Sequence, residues 1–262
     1  MTILEYHRPQ TIDEALELLA RPTPVTLPLA GGSALNRPSA EPFAAVDLQA
    51  LGLNTVERRG NILVLGATLT LQALLDLPDL PPALQKAIEH EASYNLRQVA
   101  TVAGTLIAAG GRSPFTTALL ALDAALAWRS RRGTEDQGQL DLGDLLPVRG
   151  ERLRGRLVTQ VSLPLNARLV YEYSARTPAD RPIVCAAVAA WPSGRTRVAL
   201  GGFGNAPVLA LDGPEGGGVE AAVRNAYSGA EDEWASAEYR QEAAAVLALR
   251  CHQQVEGMKD SG

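Results

Sequence analysis

Apolar and polar positions change their period several times along the chain, and each change marks an element. Ile3 to Tyr6 reads as a short strand. Thr11-Ile-Asp-Glu14 then forms a capping box, in which Thr11 accepts the amide three residues on while Glu14 reaches back. Ala15, Leu16, Leu18 and Leu19 follow at helical spacing. Val25–Leu29 reads as a strand that runs into Ala30-Gly31-Gly32-Ser33. Further strands are predicted at Ala45–Leu48, Thr55–Glu57 and Ile62–Leu65. Helices are predicted at Leu71–Leu75 and Pro82–Glu91, where Pro82 sits near a helix start and its missing N–H costs little.

The stretch Ala100 to Gly111 is small, apolar and glycine-rich, and leads through Ser113-Pro114 into a helical run over Phe115–Leu122. Between Arg129 and Gly150 the chain turns polar and charged, which predicts an exposed hairpin or loop. From there the pattern changes. Strands at 157–163, 168–174, 183–191 and 196–201 come in quick succession and predict an antiparallel meander. Two helices, about 217–226 and 235–255, close the chain. The fold class is α+β, a mixed front part and a meander-plus-helices back part joining near 150–165, with no internal repeat.

Composition narrows the function. The chain has 262 residues, 46% hydrophobic and 20% charged, which is ordinary for a globular protein. Its 24 Lys and Arg against 29 Asp and Glu give a net charge of -5. An acidic balance argues against nucleic acid or an anionic membrane as partner, since both need a concentrated basic face. No apolar run reaches the roughly 18 residues of a bilayer span. The opening Met1 to Arg8 lacks the basic-then-apolar build of a signal peptide, so a cytoplasmic location is expected. Cys185 and Cys251 form no CxxC, and His7, His90 and His252 stand far apart without an HExxH. A cysteine-ligated zinc or iron–sulfur site within the chain is excluded, and no metal site is expected.

Two glycine-bearing segments hold the candidate chemistry. Pro28-Leu-Ala-Gly-Gly-Ser-Ala-Leu35 follows an apolar strand. Its paired glycines either make a tight turn or let backbone amides converge on a phosphate, with the Ser33 hydroxyl as a further donor. In Asn95-Leu-Arg-Gln-Val-Ala-Thr-Val-Ala-Gly-Thr-Leu106, Thr101 and Thr105 flank Ala103-Gly104. Two hydroxyls and several amides could face one ligand there, or the segment is a buried turn. Neither is a GxGxxG leading from strand to helix, and no GxxxxGK[ST] occurs, so a Rossmann domain or P-loop is not expected.

The order of these segments, with Leu65-Gly-Ala-Thr-Leu-Thr70 and Leu119-Leu-Ala-Leu-Asp-Ala124, resembles the FAD-binding medium subunit of the molybdenum hydroxylases, the xanthine dehydrogenase and carbon monoxide dehydrogenase family. There the first loop usually reads Ala-Gly-Gly-Thr/Gln-Asp/Ser-Leu and the second Ala-Thr-Ile/Val-Gly-Gly-Asn. The likeness extends to His7-Arg-Pro9, Val46-Asp-Leu48, Arg176 through Ala187 and Ala235 to Arg250, nearly the whole chain.

The resemblance implies a vanillyl-alcohol-oxidase or PCMH-type FAD-binding domain of two α/β subdomains over residues 1–160. A small C-terminal domain of three or so antiparallel strands and helices would follow over 161–262. FAD would be held by Leu29, Ala30, Gly31, Gly32, Ser33, Ala34 and Leu35, and by Thr101, Ala103, Gly104, Thr105 and Ser113. The implied partners are a molybdopterin-binding large subunit, a small subunit with [2Fe-2S] clusters, and NAD or another electron acceptor. The flavin would carry the chemistry, with no catalytic side chain in this chain.

The chain departs from the family at several positions. Ala103 stands for a glycine of the Gly-Gly pair in the second loop, and Thr105 for its asparagine. Pro114 stands where a cofactor-contacting Asp is usual, with Arg112 a candidate replacement, and Tyr173 falls where a lysine lies near the flavin. Two other readings therefore stand beside electron transfer: a stand-alone flavin oxidoreductase of the same fold, and a scaffold subunit without tight flavin binding. Trp128, Trp191, Trp234 and Cys185 read as structural, and Arg129 to Arg132 as a solvated turn.

Overall fold

The computed structural model of the chain describes residues 2–35, 41–131, 136–214 and 216–258. In chain order β1 (Ile3–His7), α1 (Ile12–Leu19), β2 (Thr26–Leu29) and β3 (Phe43–Asp47) come first. β4 (Val56–Arg59), β5 (Ile62–Gly66), α2 (Leu71–Leu75), α3 (Pro82–Glu91), α4 (Tyr94–Arg97) and α5 (Val102–Ala108) follow. Next are α6 (Pro114–Ala121), β6 (Ala125–Ser130), β7 (Gln137–Asp141), α7 (Leu142–Leu145), α8 (Arg149–Arg152) and β8 (Arg156–Pro164). The last stretch holds β9 (Arg168–Ser174), β10 (Val184–Ala190), β11 (Arg195–Gly201), β12 (Val208–Pro214), α9 (Val219–Ala226) and α10 (Ala237–Gly257).

These elements form two compact units. The first takes Met1–Asp76, Tyr94–Ala108 and Ala125–Ser162, and the second Leu77–Ser93, Ala109–Ala124 and Leu163–Gly262.

The first unit holds two sheets. A small parallel sheet, order β1-β3-β2, carries α1 through Ala15, Leu16, Val46 and Leu48. The cap of α1 forms as its sequence requires: Thr11 Oγ1 accepts the Glu14 amide at 3.2 Å. Glu14, however, accepts the amide of Gln10 at 2.8 Å, one residue before the cap. The other sheet has the order β4-β5-β8-β6-β7.

The first unit corrects two expectations. The strand at 157–163 does not belong to the meander; as β8 it pairs antiparallel with β6. β6 was hidden because it follows α6 through the single turn at Asp123, whose φ of 58° reverses the chain at once. The exposed hairpin expected after Arg129 is the antiparallel β6–β7 pair, and a short helical stretch that buries Leu142, Leu145 and Leu146 follows it. Their anchoring spacing is masked by flanking charge. The part of the predicted turn at 132–135 lies outside the described residues. The buried-turn reading of the segment around Thr101–Thr105 is also corrected, because α5 starts inside it.

The second unit is a three-layer sandwich. Its antiparallel sheet runs β12-β11-β10-β9, four strands as expected for the meander, but with β12, which was not anticipated, in place of the strand at 157–163. Every residue of β10, Val-Cys-Ala-Ala-Val-Ala-Ala, is buried, because both faces of the sheet are covered. Val184, Ala186 and Val188 pack on Val223 of α9 and Ala244, Ala248 and Cys251 of α10. Cys185, on the opposite face, meets Thr117 of α6 at 3.7 Å. Alternation along a strand sends neighbours to opposite faces, so a run without polar residues marks a strand between two helix layers. α6 is likewise buried along its whole length. Ser113 caps it by accepting the Thr116 amide at 3.2 Å, and the buried Glu91 accepts the Ser113 hydroxyl at 2.6 Å and the Phe115 amide at 3.2 Å.

Candidate functional site

Both glycine-bearing segments lie in the first unit, and they border one cavity of about 290 Å³. Leu27 and Pro28 of β2 and the loop from Ala30 to Leu35 form one side. Thr101, Ala103, Gly104, Ile107 and Ala108 form another. Leu48, Ala67 and the start of β8, Arg156 to Val158, complete the wall.

The two segments contribute in different ways. In the first loop, β2 ends as Leu29 O accepts the amide of Leu48 at 2.9 Å. Gly32 then turns the chain with φ of 70°, a conformation that side chains disfavour. Among the described residues the amides of Gly31, Gly32, Ser33 and Ala34 find no partner, nor does the Ser33 hydroxyl. Consecutive free N–H groups around a left-handed residue form a concave anion receptor.

In the second segment the donors are already committed. Val102 donates to Leu69 O at 2.8 Å and Ala103 to Ala67 O at 3.2 Å. Gly104 donates to Thr101 Oγ1 at 3.2 Å, and Thr105 to Thr101 O at 2.8 Å. The Thr105 hydroxyl also donates to Thr101 O at 2.8 Å. The expectation that the amides and both hydroxyls here face one ligand is corrected for the amides and for Thr105, which start and hold α5, whereas Thr101 lines the cavity with its oxygen accepting the Gly104 amide. What α5 gives the cavity is small-residue surface, and Thr105 itself is not among the lining residues. Leu29 too stands behind the loop, its Cδ1 supporting Gly32.

The remaining candidates lie elsewhere. Ser113 belongs to the second unit, fully buried, its hydroxyl spent on the Glu91 carboxylate and the cap of α6. Burial pushes the Glu91 carboxyl above the usual carboxylate range, against the Ser113 hydroxyl, Arg181 and the Phe115 amide. Arg112 spends its Nε on Pro182 O at 2.9 Å and another donor on Arg181 O, with its plane 4.1 Å from Trp234. Tyr173 stands edge-on to His90 at 3.8 Å, with Lys86 Nζ 5.4 Å from its ring. Tyr6 donates to the buried Asp47, which also accepts the Gln49 amide at 2.9 Å; that bond raises the pKa of the Tyr6 phenol.

Sequence reasoning missed Leu27, Pro28, Leu48 and Ala67, and also Ile107, Ala108, Arg156, Leu157 and Val158. Their signal is weak, because Arg156 to Val158 enter the wall only through β8, 50 residues and more downstream. No group of three or more metal-ligating side chains occurs among the described residues. No helix among them is long and apolar enough to cross a membrane.

A family model described as the FAD binding domain in molybdopterin dehydrogenase matches residues 2–166. The chain belongs to that family. As a molybdopterin-dehydrogenase flavoprotein, of an oxidoreductase family, it has FAD as its cofactor. Over 251 residues it is 30% identical to YgfM, an uncharacterised protein of Escherichia coli strain K12, with 94% of this chain and 93% of that one covered. Reconstituted CO dehydrogenase from Oligotropha carboxidovorans superposes with a TM-score of 0.79 at 24% identity, over 97% of each chain. Quinoline 2-oxidoreductase from Pseudomonas putida 86 gives 0.78 at 21%, again over 97% of each. The fold is therefore the PCMH type of FAD-binding domain with a smaller part of antiparallel strands and helices, as the resemblance implied. The cavity fits part of such a cofactor: free amides suit a phosphate, and apolar walls suit a base or sugar face.

Proposed function

We propose that the chain is the electron-transfer flavoprotein of a molybdopterin-dependent hydroxylase complex. Its partners would be a molybdopterin-binding large subunit and a [2Fe-2S] small subunit, with NAD or another acceptor taking the electrons. The observation that supports the reading is that the Gly31–Ala34 loop, whose amides find no partner among the described residues, borders one cavity with the small-residue start of α5. FAD, when bound, supplies the electron carriage. The first loop binds an anionic group through its N–H donors, and Gly31 and Gly32 let the backbone approach it. Thr101, Ala103, Gly104 and Ile107 set the shape of the opposite wall and exclude water from it. In this reading the chain positions the cofactor and leaves the reaction to it.

A cavity of about 290 Å³ sits at the lower end of the roughly 300–1,000 Å³ of small-ligand sites, so it takes one portion of an extended dinucleotide. The FAD-binding domain would span about residues 1–160 and the C-terminal domain 161–262. Two buried free cysteines suit a reducing cytoplasm.

The test is the visible spectrum of the purified full chain before and after FAD is added and removed by gel filtration. Retained flavin bands support the reading. A folded protein that stays colourless would replace electron transfer with the scaffold role.

A further inference from the structure

The second unit carries an open strand edge beside a groove. β9 is the last strand in the order β12-β11-β10-β9. On the side of β10, the Ser174 carbonyl accepts the Ile183 amide at 2.9 Å. On the other side, the Tyr171 carbonyl accepts Lys86 Nζ of α3 at 3.4 Å. Backbone groups alternate between the two edges of an antiparallel strand, so those of Tyr173 face outward like those of Tyr171. Among the described residues nothing on that outer side pairs with the Tyr173 amide or carbonyl. An edge left unpaired is a template for a further strand.

Two shallow depressions meet there. One, of about 490 Å³, lies between Lys86 and the chain from Glu172 to Pro178; the other, of about 440 Å³, lies along α10. Tyr173 and Ser174 line both, so the two form one groove across the strand edge. Its α10 side is apolar, with Tyr239 and Val246 standing 46% and 45% exposed beside Leu247. Arg250 lines the same side and Arg176 the other, and neither pairs with a carboxylate among the described residues. The acids of the lining are already matched, Glu172 by Lys86 at 3.7 Å and Glu242 by Arg224 at 2.5 Å. The groove therefore combines free main-chain groups, apolar surface and two uncompensated cations.

We propose that this groove docks a short extended segment of another polypeptide, with an apolar centre and flanking carboxylates, which adds a strand to β9 at Tyr173. Main-chain bonds would supply affinity, the α10 surface would take alternate side chains, and Arg176 and Arg250 would select acidic flanks. A second copy presenting the same edge is disfavoured, because it would set these arginines against their own counterparts. The proposal does not depend on the FAD reading of the first unit.

The test is fluorescence anisotropy of the full chain with the labelled peptide Glu-Glu-Leu-Val-Leu-Glu-Glu and its counterpart with Lys for Glu. Two further versions carry backbone N-methyl groups, on both Leu or on Val, which face opposite edges of an extended peptide. Saturable binding of the acidic peptide is expected, with the basic one about tenfold weaker or more. One N-methylated version should lose binding and the other keep it. Val246→Asp places a charge on the apolar side and should cost about tenfold. Arg250→Gln should cost about fivefold at low salt and less at moderate salt. Both positions are exposed, and circular dichroism checks that the variants are folded. No saturable binding, equal binding of the acidic and basic peptides, or equal binding of both N-methylated versions overturns the proposal. So does self-association of the wild type in sedimentation that Val246→Asp abolishes, which would give the edge to a second copy.

Discussion

A Cβ on Gly31 would lie 1.6 Å from the carbonyl oxygen of Val99. The two glycine-bearing segments are therefore in backbone contact, and Gly31 is glycine because the neighbouring segment occupies the space of a side chain. Gly32 differs: a Cβ there would meet only Leu29 Cδ1 at 3.4 Å, and the constraint is its φ of 70°. Gly31→Ala should force the segments apart, costing about 1–3 kcal/mol as overpacking does, and lose most FAD affinity. Gly32→Ala should cost about 1–2 kcal/mol for the left-handed backbone and weaken FAD less. Urea unfolding and flavin titration of both variants check this order. Equal loss of FAD affinity in the two would refute it.

Thr101 sets the start of α5 with its hydroxyl, accepting the Gly104 amide at 3.2 Å. Thr101→Val removes that acceptor at constant shape, and should cost about 1 kcal/mol of stability. Thr101→Ser should restore it. The comparison, by thermal unfolding, separates a capping role from a ligand contact, because capping predicts rescue of stability even without FAD.

Arg240 is fully buried and donates to Ala230 O at 2.8 Å, Ala235 O at 3.0 Å and Asp232 Oδ1 at 2.6 Å. It ties the turn before α10 to the helix itself. Arg240→Met leaves two carbonyls and a carboxylate without their donor and should destabilise by about 3 kcal/mol. Denaturant unfolding of the two proteins measures it, and a loss under half of that would show the carbonyls rehydrate.

Glu91 offers a pH signature. Burial raises its carboxyl in the folded protein above the unfolded value. The folded state then holds the proton more tightly, so this contribution is complete below the unfolded pKa and is lost as pH rises through the raised one. Glu91→Gln keeps an acceptor for the Ser113 hydroxyl and the Phe115 amide, and it has no charge to bury. Its stability relative to wild type should rise from pH 4 towards neutrality, read as the difference in Tm across that range. A difference that falls instead would show that Arg181, 3.5 Å from Glu91 and exposed, outweighs burial.

Both cysteines are inert in the folded state. Burial pushes the thiols of Cys185 and Cys251 up to about 12, and neither is accessible. A thiol reagent at pH 8 should label neither until the protein is unfolded, when both react. Labelling of native protein would mean that the sandwich opens locally.

Much of the fold was legible because local signals were strong. α3 over Pro82–Glu91 and β9 over Arg168–Ser174 stand where their periodicity placed them, and Thr11 caps α1 as its motif requires. β6 and α5 were not legible. The first follows a helix after only three residues, and the second begins in a glycine-rich run with poor helix propensity that its cap and the 67–69 segment overcome. Within the site, the first loop could be read from its glycines. That the amides of the second segment are committed could not, since Val102 and Ala103 spend theirs on Leu69 and Ala67, more than 30 positions upstream.

The sequence by itself determined the family, the absence of metal-binding motifs, and the glycines that bracket the cavity, all of which are properties of residue type and order. Only the tertiary structure decided which amides stay free, that Val99 occupies the place of a Gly31 side chain, and that the start of β8 borders the same cavity. Those facts depend on β2, α5 and β8 meeting in space, and hydrogen-bond donors are consumed or spared by neighbours that chain order does not reveal.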